Sequence, residues 1–365
     1  MGETTPFATT RLFPRNAMAP QDRTNSPYFA SPTKKCSGCV SPIFIIFITK
    51  IIMTNTKQSI SAFLGLCIGD ALGVPVEFTS RAERAKSPVT SMLGYGTWDV
   101  PAGTWSDDSS LTFFLAESLC KGFSLDDIAN SFYSWYHKGF WTATGEVFDI
   151  GNTTFLAIAD FKRGVPPLQA GGKSENSNGN GSLMRILPMA YCYQKLNFSE
   201  LISRTHHVSC ITHAHLRSQM ACGIYISIAI SLLEGEKPQA AYEQGLERIK
   251  PIYSQPEYSV EISHFDKVFS GQIGKLCIDE IQSGGYVIHT LEASLWCLLN
   301  SSSYSEAVLK AVNLGGDTDT TAAVTGGLAG IYYGIENIPK EWIEQIARKQ
   351  DIIDLAARFD TAVSN

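Results

Sequence analysis

Two short stretches concentrate the groups able to do chemistry. Residues Gly103 to Ser110 read GTWSDDSS, which puts Ser106, Asp107 and Asp108 side by side. Residues Gly315 to Thr321 read GGDTDTT, where Asp317 and Asp319 stand two apart and Thr320 adds a hydroxyl. A turn lets positions i and i+2 converge on one point, and the glycines permit such a backbone. Like-charged carboxylates that close together repel unless a cation sits among them. Hard oxygen donors point to Mg²⁺, Mn²⁺ or Ca²⁺ rather than a thiolate metal. Four aspartates suit two divalent ions, an arrangement found in many hydrolases. The plainer reading is a helix cap, since Ser or Asp before a helix stabilises it by about 1 kcal/mol. Either stretch alone fits a cap as readily as a site. A cap needs only one carboxylate, however, and both loops double theirs. EF-hand spacing is absent, because no Glu follows at position 12.

Four further stretches carry polar groups. GDALGVPVE, Gly69 to Glu77, holds Asp70 and Glu77. FDIGNTT holds Asp149, Gly151 and Asn152. NGNGSLMRILP leads from Gly179, Asn180, Gly181 and Ser182 into a segment with Arg185. Amides at a helix start favour anions such as a diphosphate, although Gly/Asn loops are common. CITHAH holds His213 and His215. Their spacing is not the i, i+4 of a helical zinc site. Substrate contact, or a histidine satisfied within the fold, is the expectation for both.

Helices must position these groups. From Ser59, the residues Ile60, Phe63, Leu64, Cys67, Ile68 and Leu72 mark one broad apolar face. Gly65, Gly69 and Gly73 recur four apart on another face, where a neighbouring backbone can approach closely. Further helices are expected at 109–121, 125–137, 182–195, 215–234, 289–300, 304–313, 319–333 and 340–350. Met220 to Leu233 is apolar nearly all round, and at about 14 residues it is a buried core helix rather than a membrane span. No alternating run suggests a sheet, and no repeat is evident. The expectation is one all-α domain over 54–365. Within it, the Gly/Ser/Asn-rich loop at 171–182 is either functional or disordered.

Composition narrows the class. The 365 residues are 44% hydrophobic and 18% charged, an ordinary globular balance. A net charge of −6 argues against a nucleic-acid binder. The first 53 residues differ: six basic residues against two acidic ones give +4, and six of the 16 prolines lie there. Residues 1–39 lack helical periodicity, and Val40 to Met53 is a short apolar run interrupted by Lys50. Three readings stand for that run. It is a strand or partner-docking segment, or upstream sequence before a true start at Met53, or a membrane anchor or signal. Of nine cysteines, Cys36 and Cys39 form a C-x-x-C without the second pair a zinc site needs. The other seven read as single buried thiols in a reducing, cytoplasmic setting.

Taken in order, GDALGVPVE, TWSDDS, DIGNTT, GNGSLMR, THAH and GGDTDTTAAVTGGLAG resemble the ADP-ribosylglycohydrolase family, from about Ser61 to Gly334. Dinitrogenase reductase-activating glycohydrolase is a bacterial member of it. The resemblance implies an all-α fold with a binuclear Mg²⁺ or Mn²⁺ cleft. It makes Ser106, Asp107, Asp108, Asp317, Asp319 and Thr320 the metal ligands. Glu77 matches a mobile acidic loop residue near the metals. Asp149, Gly151 and Asn152 match a stretch that holds the ribose and contributes an acid. Gly179 to Ser182 would line the diphosphate, and His213 would approach the substrate. The implied catalytic set is Asp107, Asp108, Asp149 and Glu77. Ser106 departs from the family's usual Thr but keeps the hydroxyl.

The implied activity is removal of ADP-ribose from modified protein side chains. Arginine is preferred on the DIGN segment, with serine-linked or O-acetyl ADP-ribose as alternatives. A second hypothesis is an immunity protein, in which the basic arm blocks an ADP-ribosyltransferase toxin. A monomer with neither nucleic-acid nor membrane partners is expected.

Overall fold

Glycine spacing on the first helix decides what packs against it. The computed structural model describes residues 59–364. Helix α1 (59–73) is followed by α2 (Arg81–Lys86), α3 (Asp107–Leu119), α4 (Leu125–Lys138), α5 (Asn152–Lys162) and α6 (Pro167–Ala170). Then come α7 (Phe198–Cys210), α8 (Leu216–Leu233), α9 (Pro238–Tyr253), α10 (Asp266–Phe269) and α11 (Val287–Leu299). Helices α12 (Tyr304–Val312), α13 (Thr318–Tyr333), α14 (Lys340–Gln345) and α15 (Lys349–Ser364) complete the order. The described residues contain no strand, only two isolated bridges, Gly172 with His213 and Gly179 with Tyr286. The architecture is all-α, as the apolar spacing predicts.

Helices α1 and α13 meet backbone to backbone. A Cβ on Gly65 would lie 2.5 Å from the Gly326 carbonyl oxygen, and one on Gly69 would lie 2.1 Å from that of Ala322. Gly326 and Gly330 answer from α13, each close to an α1 carbonyl. The glycine face expected from the sequence is therefore the crossing that sets the depth of α13.

Helix α8 is buried along almost its whole length, between α7, α9, α11 and α13. Two stretches, Ser59–Val76 and Leu216–Leu233, are long and apolar enough to cross a membrane, yet 94% and 89% of those windows are buried inside the protein. Protein packing accounts for their apolarity. An aromatic cluster joins α1 to α15 and α3, with Phe63 at 5.3 Å from Phe359 and 6.3 Å from Phe113, ring centre to ring centre.

Several expectations need correction. The segment expected as a helix at 182–195 is 3₁₀ over Leu187–Gln194, where Pro188 removes an amide donor. The helix expected at 340–350 stops at Gln345, and the chain turns at Arg348, with φ +55°, before α15 begins. Helices α5, α7, α9 and α15 were not expected. Cys67, Cys222 and Cys297 are buried, but Cys277 is exposed. The readings of the 1–53 arm and of the Cys36/Cys39 pair lie outside the described residues.

Candidate active site

Both acidic loops lead into buried helices, and local bonds aim them. Ser106 is the N-cap of α3, its hydroxyl accepting from the Asp108 amide at 3.3 Å. That leaves Asp107 and Asp108 in the first turn, where the helix dipole favours carboxylates. Behind them, Asp70 of α1 accepts from the Ser106 amide at 3.0 Å, the Ser109 amide at 3.1 Å and the Ser109 hydroxyl at 2.6 Å. Asp70 is thus the anchor of the SDDS turn. Burial still raises its pKa to about 6, outweighing those bonds.

The second loop is built differently. Gly315 and Gly316 adopt φ +73° and +77°, a region that favours glycine. Gly316 donates to the Thr79 carbonyl and accepts from the Phe78 amide, both at 2.8 Å, so the Glu77 and Asp317 loops are stitched together. Asp317 occupies the N-cap of α13 but makes no side-chain capping bond. Its Oδ2 instead accepts from the Asn180 amide group at 2.9 Å. Capping therefore explains Ser106 and does not explain Asp317.

The carboxylates converge. Ligand oxygens of Asp70, Asp108 and Asp319 lie within 4.8 Å of one another, as do those of Glu77, Asp149 and Asp319. Asp319 belongs to both groups. Buried Asp108 Oδ2, Asp317 Oδ1 and both Asp319 oxygens have no hydrogen-bond partner. Leaving such groups unpaired is costly, so a cluster short of donors calls for cations or protons. Burial, with the neighbouring carboxylates, pushes Asp107, Asp108 and Asp319 well above the carboxylate range. Burial and the Asp149 charge raise Glu77 to about 9, and burial first raises Asp149 to about 7. All donors are oxygen, which fits hard divalent cations.

A cavity of about 350 Å³ opens over this cluster. Of the residues expected in the site, Glu77, Asp107, Asp149, Gly151, Asn152, Gly179, Asn180, Gly181, His213, Asp317 and Thr320 line it. Asp108 and Asp319 lie beneath, at 1% exposure each. Thr320 donates to Asp108 Oδ1 at 3.4 Å. Ser106 is not on the wall. Ser182 is also behind the wall, fully buried, its hydroxyl accepting from Ser209 at 2.9 Å. The Asn180 amide donates to the Gly285 carbonyl at 3.0 Å, so it is already engaged.

His213 is 3% exposed and shares its Nδ1 with the Thr212 hydroxyl at 2.7 Å. Burial and nearby Arg185 lower its pKa to about 3, so the ring is neutral. His215 takes no part in the cavity. It caps α8, accepting from the Arg217 amide at 3.2 Å. Glu175, His215 and Glu261 form another convergent group, but Arg217 already fills it, donating to Glu175 at 2.5 Å and Glu261 at 2.7 Å. A larger groove of about 560 Å³ runs beside α9 and α10, and none of the clustered carboxylates lines it.

With this geometry in place, similarity to known proteins decides the family. The family model for ADP-ribosylglycohydrolase matches residues 54–365. The chain belongs to the ADP-ribosylglycohydrolase family. Among relatives of this ADP-ribosylglycohydrolase, the ADP-ribosylarginine hydrolase Tri1 of Pseudomonas putida (strain GB-1) is 33% identical, covering 82% of this chain and 77% of that one. The ADP-ribosyl-[dinitrogen reductase] glycohydrolase of Rhodospirillum rubrum is 29% identical, covering 80% and 91%. A solved structure titled ADP-ribosylglycohydrolase-related protein complex superposes with a TM-score of 0.69 at 29% identity, covering 85% of this chain and 99% of that one.

Two supporting residues of this ADP-ribosylglycohydrolase escaped the sequence reading, and a third, Arg185, was noted there without a role. Trp98 donates from Nε1 to Glu77 Oε2 at 2.6 Å. Thr290 receives the second Asn180 donor bond at 2.9 Å. Arg185 is fully buried and donates to the Gly181 carbonyl at 2.6 Å and the Thr212 hydroxyl at 2.7 Å. Apart from the local bond between Arg185 and Gly181, these contacts span 21 to 110 residues, which no local motif records.

Proposed function

We propose that this protein removes ADP-ribose from modified arginine side chains, using two divalent cations, Mg²⁺ or Mn²⁺. The observation that carries the cation requirement is the set of buried, unpartnered oxygens on Asp108, Asp317 and Asp319. Asp107, Asp108, Asp317 and Asp319 would hold the ions, with the hydroxyls of Ser106 and Thr320 beside them. When bound, divalent cations orient a ribose diol and polarise the sugar.

The chain's own groups do the rest. Gly179, Asn180 and Gly181 form one wall of the cavity, with His213 against them. Without a Cβ, Gly179 and Gly181 let a diphosphate approach the backbone. His213, neutral, contributes a hydrogen bond without adding charge. Gly151 and Asn152, at the start of α5, also line the cavity and suit a ribose hydroxyl. Asp149 stands at the wall with φ +58° and a pKa raised to about 7. A carboxyl in that range can deliver a proton to a departing guanidine near neutral pH. Glu77, gripped by Trp98, supports it. Arginine is favoured because Glu77 and Asp149 line the cavity besides the ion-holding carboxylates, and no Lys or Arg does. The identity with proteins named ADP-ribosylarginine hydrolase favours it too.

The deciding experiment incubates the protein with Mg²⁺ or Mn²⁺ and ADP-ribose linked to arginine, to serine or to an O-acetyl group. Fastest release from arginine is expected. A faster serine or O-acetyl reaction would replace the arginine reading. A separate proposal concerns the +4 segment at 1–53, whose charge and prolines suit docking on a transferase toxin. Deleting it should weaken toxin affinity, and unchanged affinity would end that idea. A monomer acting in the cytoplasm completes the proposal.

A further inference from the structure

Phe78 is a large apolar side chain in an unusual place. It follows Glu77, lines the acidic cavity and is 68% exposed. Its backbone adopts φ +63°, a region bulky residues avoid. The Phe78 amide donates to the Gly316 carbonyl at 2.8 Å, which holds this conformation. Such strain persists where the surroundings over-determine it, and it clusters at ligand sites. The ring faces Trp98 at 6.5 Å, and Trp98 in turn meets Phe148 at 5.4 Å. Trp98 also grips Glu77. One tryptophan therefore fixes both the ring and the carboxylate beside it.

A planar cation suits this pair. The Glu77 and Asp149 carboxylates, which are not among those assigned to the ions, share the cavity with the Phe78 ring, and no Lys or Arg lines it. A guanidinium can stack on an aromatic face while carboxylates meet its edge. A neutral leaving group would gain neither contact. We infer that Phe78, backed by Trp98, is the specificity element for the acceptor side chain, a π platform for the guanidinium of a modified arginine. This rests on the arginine reading above.

The test compares wild type, Phe78→Leu and Phe78→Tyr. All three side chains are unbranched at Cβ, so the backbone cost at φ +63° is alike. Two quantities are measured for each: kcat/KM on an ADP-ribosylarginine protein, and the Kd of free ADP-ribose, which has no acceptor. In Phe78→Leu the loss in kcat/KM should exceed the loss in ADP-ribose affinity by about five- to tenfold, and Phe78→Tyr should restore it. Parallel losses would mean the ring serves the shared ADP-ribose, and would overturn the proposal alone. A rate in Phe78→Leu equal to wild type would do the same. Wild type that fails on the arginine substrate would remove the arginine reading and this proposal together.

Discussion

Gly73 touches the acidic loop directly: a Cβ there would lie 2.3 Å from the Asp319 Cα. The Thr318 hydroxyl also donates to the Gly73 carbonyl at 2.8 Å. The end of α1 therefore sets where α13 begins, and with it the shared carboxylate of both acidic groups. Gly73 has φ −81°, so an alanine there meets no backbone strain and acts through contact alone. Gly73→Ala should cost about 1–3 kcal/mol by overpacking. It should lower activity more than its unfolding in urea accounts for. Wild-type turnover in a stably folded Gly73→Ala protein would show that this contact does not place Asp319.

Cation binding should be visible without turnover. Ions that bind only the folded state stabilise it by about 2.7 kcal/mol at 100 times their Kd. Added Mn²⁺ or Mg²⁺ should raise Tm, and a chelator should reverse the rise. Asp317→Ala with Asp319→Ala should be insensitive to either ion. In the absence of metal, Asp319→Ala alone should leave the fold no less stable, because neither of its buried oxygens has a partner to lose and a repulsive charge is removed. A double variant whose Tm still climbs with Mn²⁺ would place the ions elsewhere. Asp107→Ala with Asp317→Ala should abolish ADP-ribose release.

Asn180 reaches across the cavity floor to Asp317 and Thr290. Asn180→Ala removes the side-chain donor to Asp317 Oδ2 and leaves that carboxylate free to turn. The expected result is a fall in metal affinity of about tenfold, in line with other supporting partners of metal ligands. Titration calorimetry reads it directly. Asn180→Asp loses the same donor but adds a negative charge that attracts cations, so its metal affinity should fall less than that of Asn180→Ala. Equal affinities in all three proteins would make Asn180 a cavity wall and nothing more.

Much of this was legible in the sequence, for local reasons. Capping, the doubled aspartates and the four-residue glycine spacing are all short-range patterns. A close helix contact on the glycine face of α1 and the buried α8 follow from them, whereas the meeting of two loops about 210 residues apart was carried by the family resemblance of the ordered motifs. What stayed hidden depends on distant partners. Trp98 stands in a glycine- and turn-rich stretch, and only the fold brings it to Glu77. Gly245 and Pro251 interrupt the pattern of α9, although Gly245 simply makes room for Ile228. Helix α7 did carry a signal, since Asn197 caps it with Glu200 three residues on. Helix α15 did too, in Ile352, Leu355, Ala356, Phe359 and Val363. Ser182 reads as a loop hydroxyl in sequence, and its bond to Ser209 of α7 becomes visible only once α7 packs behind it.

Asp360 gives a pH dependence separate from the site. It lies on α15, 6% exposed, with Oδ2 unpartnered. Burial raises its pKa from 3.8 to about 7, only partly offset by Ser59. The folded state therefore holds this proton more tightly than the unfolded chain does. Below pH 3.8 both states are protonated, and the carboxyl costs nothing. Between pH 3.8 and about 7 the unfolded chain loses its proton first, so this group's contribution falls as pH rises. Above that window the penalty is constant, with an upper bound of about 4 kcal/mol. Asp360→Asn mimics the protonated acid. It should gain stability over wild type at pH 8 and lose that advantage at pH 4. Urea unfolding of both proteins at the two pH values checks this. An Asn variant no more stable than wild type at pH 8 would mean the carboxylate finds solvent or a partner when ionised.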